Sequence, residues 1–141
     1  EIDGVDCRHG AEALPQMLGI CDYVCSILPS TPATRGLMDA EMLAAMKPGA
    51  TLINAGRGDL VDEPALLAAL DKGTPGHAVL DVVSKEPLPA DSPLWTHPQV
   101  TITPHVSGWH LGDALRDVVE NYRRLEAGKD LLHEVDRARG Y

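Results

Sequence analysis

The chain has 141 residues, 44% of them hydrophobic and 23% charged, with a formal net charge of −9. One soluble domain with a real core is the natural expectation. The negative balance argues against nucleic acid or an anionic membrane as partner, and no apolar run approaches the roughly 20 residues that span a bilayer. The three cysteines, Cys7, Cys21 and Cys25, are too few and too oddly spaced for a disulfide framework or a zinc site. They read as thiols of a reducing, cytoplasmic compartment. No basic-then-apolar leader opens the chain, and the first residue is Glu1 rather than Met.

Taken in order, the pattern alternates strand and helix. Tyr23-Val24-Cys25-Ser26-Ile27-Leu28 is a short apolar run closed by Pro29 and predicts a buried parallel strand. Asp39 is placed to cap a helix in which Met42, Leu43 and Met46 share a face, and Pro48-Gly49 ends it. A second strand follows near residues 50–55. Asp62 caps the next helix, whose apolar face is Leu66, Leu67 and Leu70, and Gly73 is its stop. A third strand is expected from about His77 to Val83. Residues 84–98, with four prolines, predict an ordered loop over the sheet edge. The fourth strand is expected near Val100 to Thr103. Leu111, Leu115, Val118, Val119, Tyr122 and Leu125 then recur at helical spacing up to Gly128. Such alternation implies an α/β fold with a doubly wound parallel sheet.

Strand carboxyl ends share one edge of such a sheet, and ligands bind in the crevice outside it. Three charge-bearing residues follow predicted strands: Arg57, Glu86 and His105. A guanidinium forks onto a carboxylate with two parallel hydrogen bonds. Imidazole titrates near neutrality and can give a proton to a forming alkoxide. A carboxylate bonded to imidazole favours the protonated ring. Together the three suit reduction of a carbonyl beside a carboxylate. Each also has a plain reading: an arginine in a tight turn between Gly56 and Gly58, a loop histidine, a surface acid. Asp81, at the end of an apolar strand, needs a partner. It can accept from a ligand amide, cap a neighbouring loop or mark the strand end. Leu28 and Pro29 can cover one face of an adenine. Thr34 can donate to a cofactor or cap the turn. Trp95 and Trp109 can wall a pocket or simply pack. His110 has no third ligand spaced to form a metal site with it and His105.

Four segments carry a resemblance: residues 28–37 (LPSTPATRGL), 46–63 (MKPGATLINAGRGDLVDE), 80–89 (LDVVSKEPLP) and 103–108 (TPHVSG). In this order they resemble the D-isomer-specific 2-hydroxyacid dehydrogenases. Residues 92–95 (SPLW) and 135–141 (VDRARGY) lean toward the glyoxylate and hydroxypyruvate reductase branch. The resemblance implies a Rossmann-type domain that binds NAD or NADP and reduces a small 2-oxo acid. Arg57 would hold the substrate, His105 would be the acid/base and Glu86 its orienting partner. Asp81 would meet the nicotinamide carboxamide. Leu28, Pro29, Thr34, Ala55, Gly56 and Ser107 would line the cofactor. Val83 stands where the family often has phenylalanine.

The family's G-x-G-x-x-G phosphate turn does not occur in the 141 residues. The chain is therefore expected to begin just after the second strand of that fold. Residues 1–128 would be a partial NAD(P)-binding domain and 129–141 a tail returning toward the substrate domain. The intact protein is expected to be an enzyme, by resemblance a homodimer, and the segment alone inactive. A non-catalytic nucleotide-sensing module and an inactive remnant are the alternatives.

Overall fold

The computed structural model of the chain describes residues 3–10, 12–108 and 111–139. They form two compact units, residues 1–105 and 106–141.

The first unit contains α1 (Ala13–Leu18), β1 (Tyr23–Ser26), α2 (Ala40–Ala44), β2 (Thr51–Asn54), α3 (Glu63–Leu70), β3 (His77–Leu80) and β4 (Val100–Ile102), with 3-10 turns at Gly58–Leu60 and Pro93–Trp95. The four strands are parallel and lie in the order β1-β2-β3-β4. An order running one way only is half of a doubly wound sheet. Right-handed crossovers then place α2 and α3 on the same face, and these two helices pack together.

The helix starts are local chemistry. The Asp39 carboxylate accepts from the N–H groups of Glu41 and Met42, and that of Asp62 from Ala65 N–H. Gly49 and Gly73 have positive φ at the stops. Leu52, Ala78 and Leu80 point from the sheet into a core with Leu43, Leu66 and Leu70. The alternate positions Cys25, Ile53 and Val79 are not fully buried. Within this unit the strands therefore alternate, where a continuous apolar run had implied burial on both faces.

Two strand boundaries differ from the expected ones. β1 stops at Ser26 and β3 at Leu80, because Ile27-Leu28 and Val82-Val83 already belong to the loops at the sheet edge. Helix α1 carries a single buried residue, Leu18, and has too short a periodicity to be read. The compact units divide between His105 and Val106. Helix α4 (Leu111–Glu126) makes its bonds to the tail: Asn121 exchanges two hydrogen bonds with the Leu132 backbone, and Arg124 donates to Asp130 O at 3.1 Å. Leu115, Val118, Val119, Tyr122 and Leu125 on α4 are exposed.

Candidate active site

Register aligns the strand ends. Ser26 pairs with Asn54, Asn54 with Leu80, and Leu80 with Ile102. The ladder runs one residue further, through Ala55 N–H to Ser26 O, Asp81 N–H to Asn54 O and Thr103 N–H to Leu80 O. Arg57, Glu86 and His105 all follow within a few residues of that line. They share one edge for this reason, although 48 positions separate the first from the last.

The turn carrying Arg57 is stapled by Asn54, which is 1% exposed. Its amide donates to Arg57 O at 2.9 Å and its oxygen accepts from Gly56 N–H at 3.2 Å. A buried amide satisfied on both ends fixes the backbone it touches. The arginine side chain is exposed, with Nη1 donating to Gly56 O at 2.8 Å. The glycines on either side prove to be required by the protein's own main chain. A Cβ on Gly56 would stand 2.6 Å from Leu28 O, and one on Gly58 would stand 1.9 Å from Val83 O. Neither glycine has positive φ. Close approach to neighbouring loops, not a special turn, makes both positions glycine.

Glu86 and His105 are paired. His105 Nδ1 lies 2.8 Å from Glu86 Oε2, while Glu86 Oε1 accepts from Val83 N–H at 3.2 Å. With the carboxylate as acceptor, Nδ1 carries hydrogen, and Nε2 is the ring atom left for other chemistry. The His105 backbone is left-handed, with φ 55, and its N–H bonds back to Thr103 O at 3.0 Å. For a residue with a Cβ this is a strained conformation of the kind that collects at functional sites. Arg57, Glu86 and His105 all line a cavity of about 290 Å³, with Ser30, Gly58 and Asp59 at its sides. Ser30 Oγ donates to Asp59 at 2.5 Å, and Arg35 bridges to the same carboxylate at 3.1 Å.

Asp81 is buried and accepts a hydrogen bond from the Thr103 hydroxyl. It lines a second cavity beside the pair. At the β1 end, Ile27 and Leu28 are exposed and Pro29 is half-buried. Thr34 Oγ1 donates to Pro29 O at 2.6 Å and accepts from Thr31 N–H at 2.9 Å, so its hydrogen is engaged within the loop that presents them. Ala55 and Gly56 sit at the end of β2. Ser107 falls in the second unit and is exposed. Trp95 lines the second cavity, whereas Trp109 and His110 lie outside the described residues. Sequence reading missed the Asn54 staple, the Val83 N–H and the Thr103 hydroxyl. Asn54 left a signal as a polar residue closing an apolar strand; the other two left none.

The edge combines apolar surface with a buried acid. It has an apolar bed at Ile27 and Leu28 and an acid at Asp81, but the glycine turn that would hold a pyrophosphate is not among these residues. Several solved structures resemble the chain. A D-isomer specific 2-hydroxyacid dehydrogenase from Xanthobacter autotrophicus Py2, in complex with NADPH and MES, is 49% identical over all of this chain and 59% of its own, with a TM-score of 0.94. The NADPH-dependent glyoxylate/hydroxypyruvate reductase of Sinorhizobium meliloti, in complex with NADP and sulfate, is 37% identical over 94% of this chain and 44% of its own, at 0.87. A probable 2-hydroxyacid dehydrogenase from Rhizobium etli CFN 42, with NADP, HEPES and L(+)-tartaric acid, is 38% identical over 100% of this chain and 46% of its own, at 0.88. The chain thus spans between 44% and 59% of the length of these relatives. The family model of the D-isomer specific 2-hydroxyacid dehydrogenase NAD binding domain matches residues 5–107, all four strands included. A parallel sheet whose strand ends carry these motifs, matched over most of its length, places the chain in the D-isomer specific 2-hydroxyacid dehydrogenase family, as part of its NAD-binding domain.

Proposed function

We propose that the whole protein reduces the carbonyl of a small 2-oxo acid, of the glyoxylate or hydroxypyruvate kind, to the D-2-hydroxy acid. The observation that carries this reading is that the Glu86–His105 pair and Arg57 face one cavity. The Arg57 guanidinium grips the substrate carboxylate and orients the carbonyl. His105 gives the proton on Nε2 to the carbonyl oxygen as negative charge grows there. Glu86 holds the ring in the required tautomer and balances its charge. The chemistry supplied by a bound reduced nicotinamide is hydride donation to the carbonyl carbon. One hydride and one proton add across the C=O bond, leaving an oxidised dinucleotide and a neutral imidazole. Asp81 is assigned to the nicotinamide carboxamide. Leu28, Pro29, Ala55, Gly56 and Ser107 are assigned to the cofactor's path, with Thr34 shaping the loop that bears the first two.

In the whole protein, His105→Asn is expected to lower kcat/KM about 10²- to 10⁴-fold while dinucleotide affinity stays within about threefold. Unchanged turnover refutes the reading. The 141 residues alone are expected to show no reductase activity, for want of a pyrophosphate turn. Measurable reduction of glyoxylate by that segment defeats this second expectation. A cytoplasmic homodimer accompanies the reading, and sedimentation of the whole protein checks the assembly.

A further inference from the structure

The loop that carries Glu86 is held at three points. Val83 O stands against Gly58, where a Cβ would come within 1.9 Å of it. Val83 N–H donates to Glu86 Oε1 at 3.2 Å. Ser84 N–H donates to Glu63 Oε1 at 2.6 Å. The first is a steric stop, and the second lies within the loop itself. The third reaches another element, since Glu63 is the first residue of α3. A short bond to a carboxylate is of the charge-assisted kind, stronger than a neutral one.

An acid in the first turn of a helix ordinarily serves that helix's own unpaired N–H groups and its dipole. Here Asp62 already caps α3 through Ala65 N–H at 3.0 Å. The Glu63 carboxylate is turned instead onto a main-chain N–H 21 positions away. Ser84 follows Val83, whose N–H holds Glu86, and precedes Glu86 by two residues. A shift of Ser84 therefore disturbs the Val83–Glu86 bond and the carboxylate that meets His105 Nδ1 at 2.8 Å. Ser84 also lines the cavity that holds Arg57, whereas Glu63 lines neither cavity.

We infer that Glu63 is a positioning residue for the Glu86–His105 pair: it touches no reactant, and it sets the loop that brings the Glu86 carboxylate onto the imidazole. The effect on turnover rests on the reductase reading; the effect on the loop rests on the hydrogen bonds alone. The test is steady-state kinetics of the whole protein with NADPH and with glyoxylate or hydroxypyruvate. Glu63→Ala is expected to lower kcat about 10- to 100-fold, the scale of a displacement of about 1 Å at a reacting pair, while KM for NADPH stays within about twofold. Glu63→Gln keeps an amide oxygen that accepts from Ser84 N–H and should recover most of the loss. Asp62→Ala loosens the start of α3 without touching Ser84 and should leave kcat within about twofold. Beside Glu86→Gln, Glu63→Ala should cost no more than about a further twofold, because the group it positions is already altered.

An unchanged kcat in Glu63→Ala overturns the inference. So does a Gln variant no better than the Ala variant, an equal loss in Asp62→Ala, or a full additional loss beside Glu86→Gln; in each case the reductase reading stands. A wild type that reduces neither acid defeats that reading instead, and amide hydrogen exchange decides the positioning. Exchange at Val83 and Ser84 should be about tenfold or more faster in Glu63→Ala than in the wild type, and near the wild-type rate in Glu63→Gln. Val83 exchange that Glu63→Ala does not move overturns the inference.

Discussion

The carboxyl of Glu86 is held below the usual carboxylate range, first of all by its hydrogen bond with the His105 ring. The Val83 N–H and the positive charges of His105 and Arg57 act in the same direction, against a modest loss of hydration. A carboxyl depressed in the folded state contributes stability that is complete above its unfolded value, near 4.5, and is lost as pH falls through the folded value. Both partners are about half in solvent, so screening keeps the contribution small. Urea midpoints of the wild type and Glu86→Gln are expected to differ slightly above pH 4.5 and to converge below it. A difference that widens on acidification contradicts the pairing. At neutral pH the same substitution leaves His105 without an anionic neighbour. On the proposed reductase reading, its effect in the whole protein is expected in kcat more than in KM, because the ring and not the group assigned to the substrate carboxylate is disturbed.

Among the elements, the loops after β2 and β3 are the most tightly constrained. The Gly58 α-carbon abuts the Val83 carbonyl, and a methyl group there has nowhere to go without moving main chain. Gly58→Ala is expected to cost about 1–3 kcal/mol or more, read from denaturant midpoints, and to spread Arg57 from the Glu86–His105 pair. Asp62→Ala, by contrast, removes one cap bond and is expected to cost about 1 kcal/mol with no effect on the site. This contrast also marks what could be read in advance. Caps such as Asp39 and Asp62 are local, and so were legible. So were the strands, whose apolar runs are bounded by Pro and Gly, and with them the edge where Arg57, Glu86 and His105 collect. The purpose of Gly56 and Gly58 was not legible, because the atoms that demand them belong to Leu28 and Val83, distant in sequence. The Asp81–Thr103 bond was hidden for the same reason, since it joins two different strands. The end of β3 depended on where the Val83 N–H turns to meet Glu86.

At the level of the whole molecule, charge and exposed apolar surface act against each other. The formal charge of −9 at neutral pH keeps copies apart, and it vanishes at a pI of about 4.9. The apolar residues of α4 and the one-sided edge of β1, with Tyr23 exposed, are surfaces on which chains associate once repulsion is gone. Turbidity of the 141-residue chain is expected to peak near pH 4.9 and to clear on either side; a flat profile would show that charge is not what keeps it dispersed. The abutment of residue 58 on residue 83 reaches further still. Because it is made by polypeptide and not by interchangeable side groups, it constrains the identity of residue 58 alone and leaves residue 83 free to vary. Exchange of Val83 for another apolar residue should therefore leave the denaturant midpoint nearly unchanged, where any side chain at 58 lowers it.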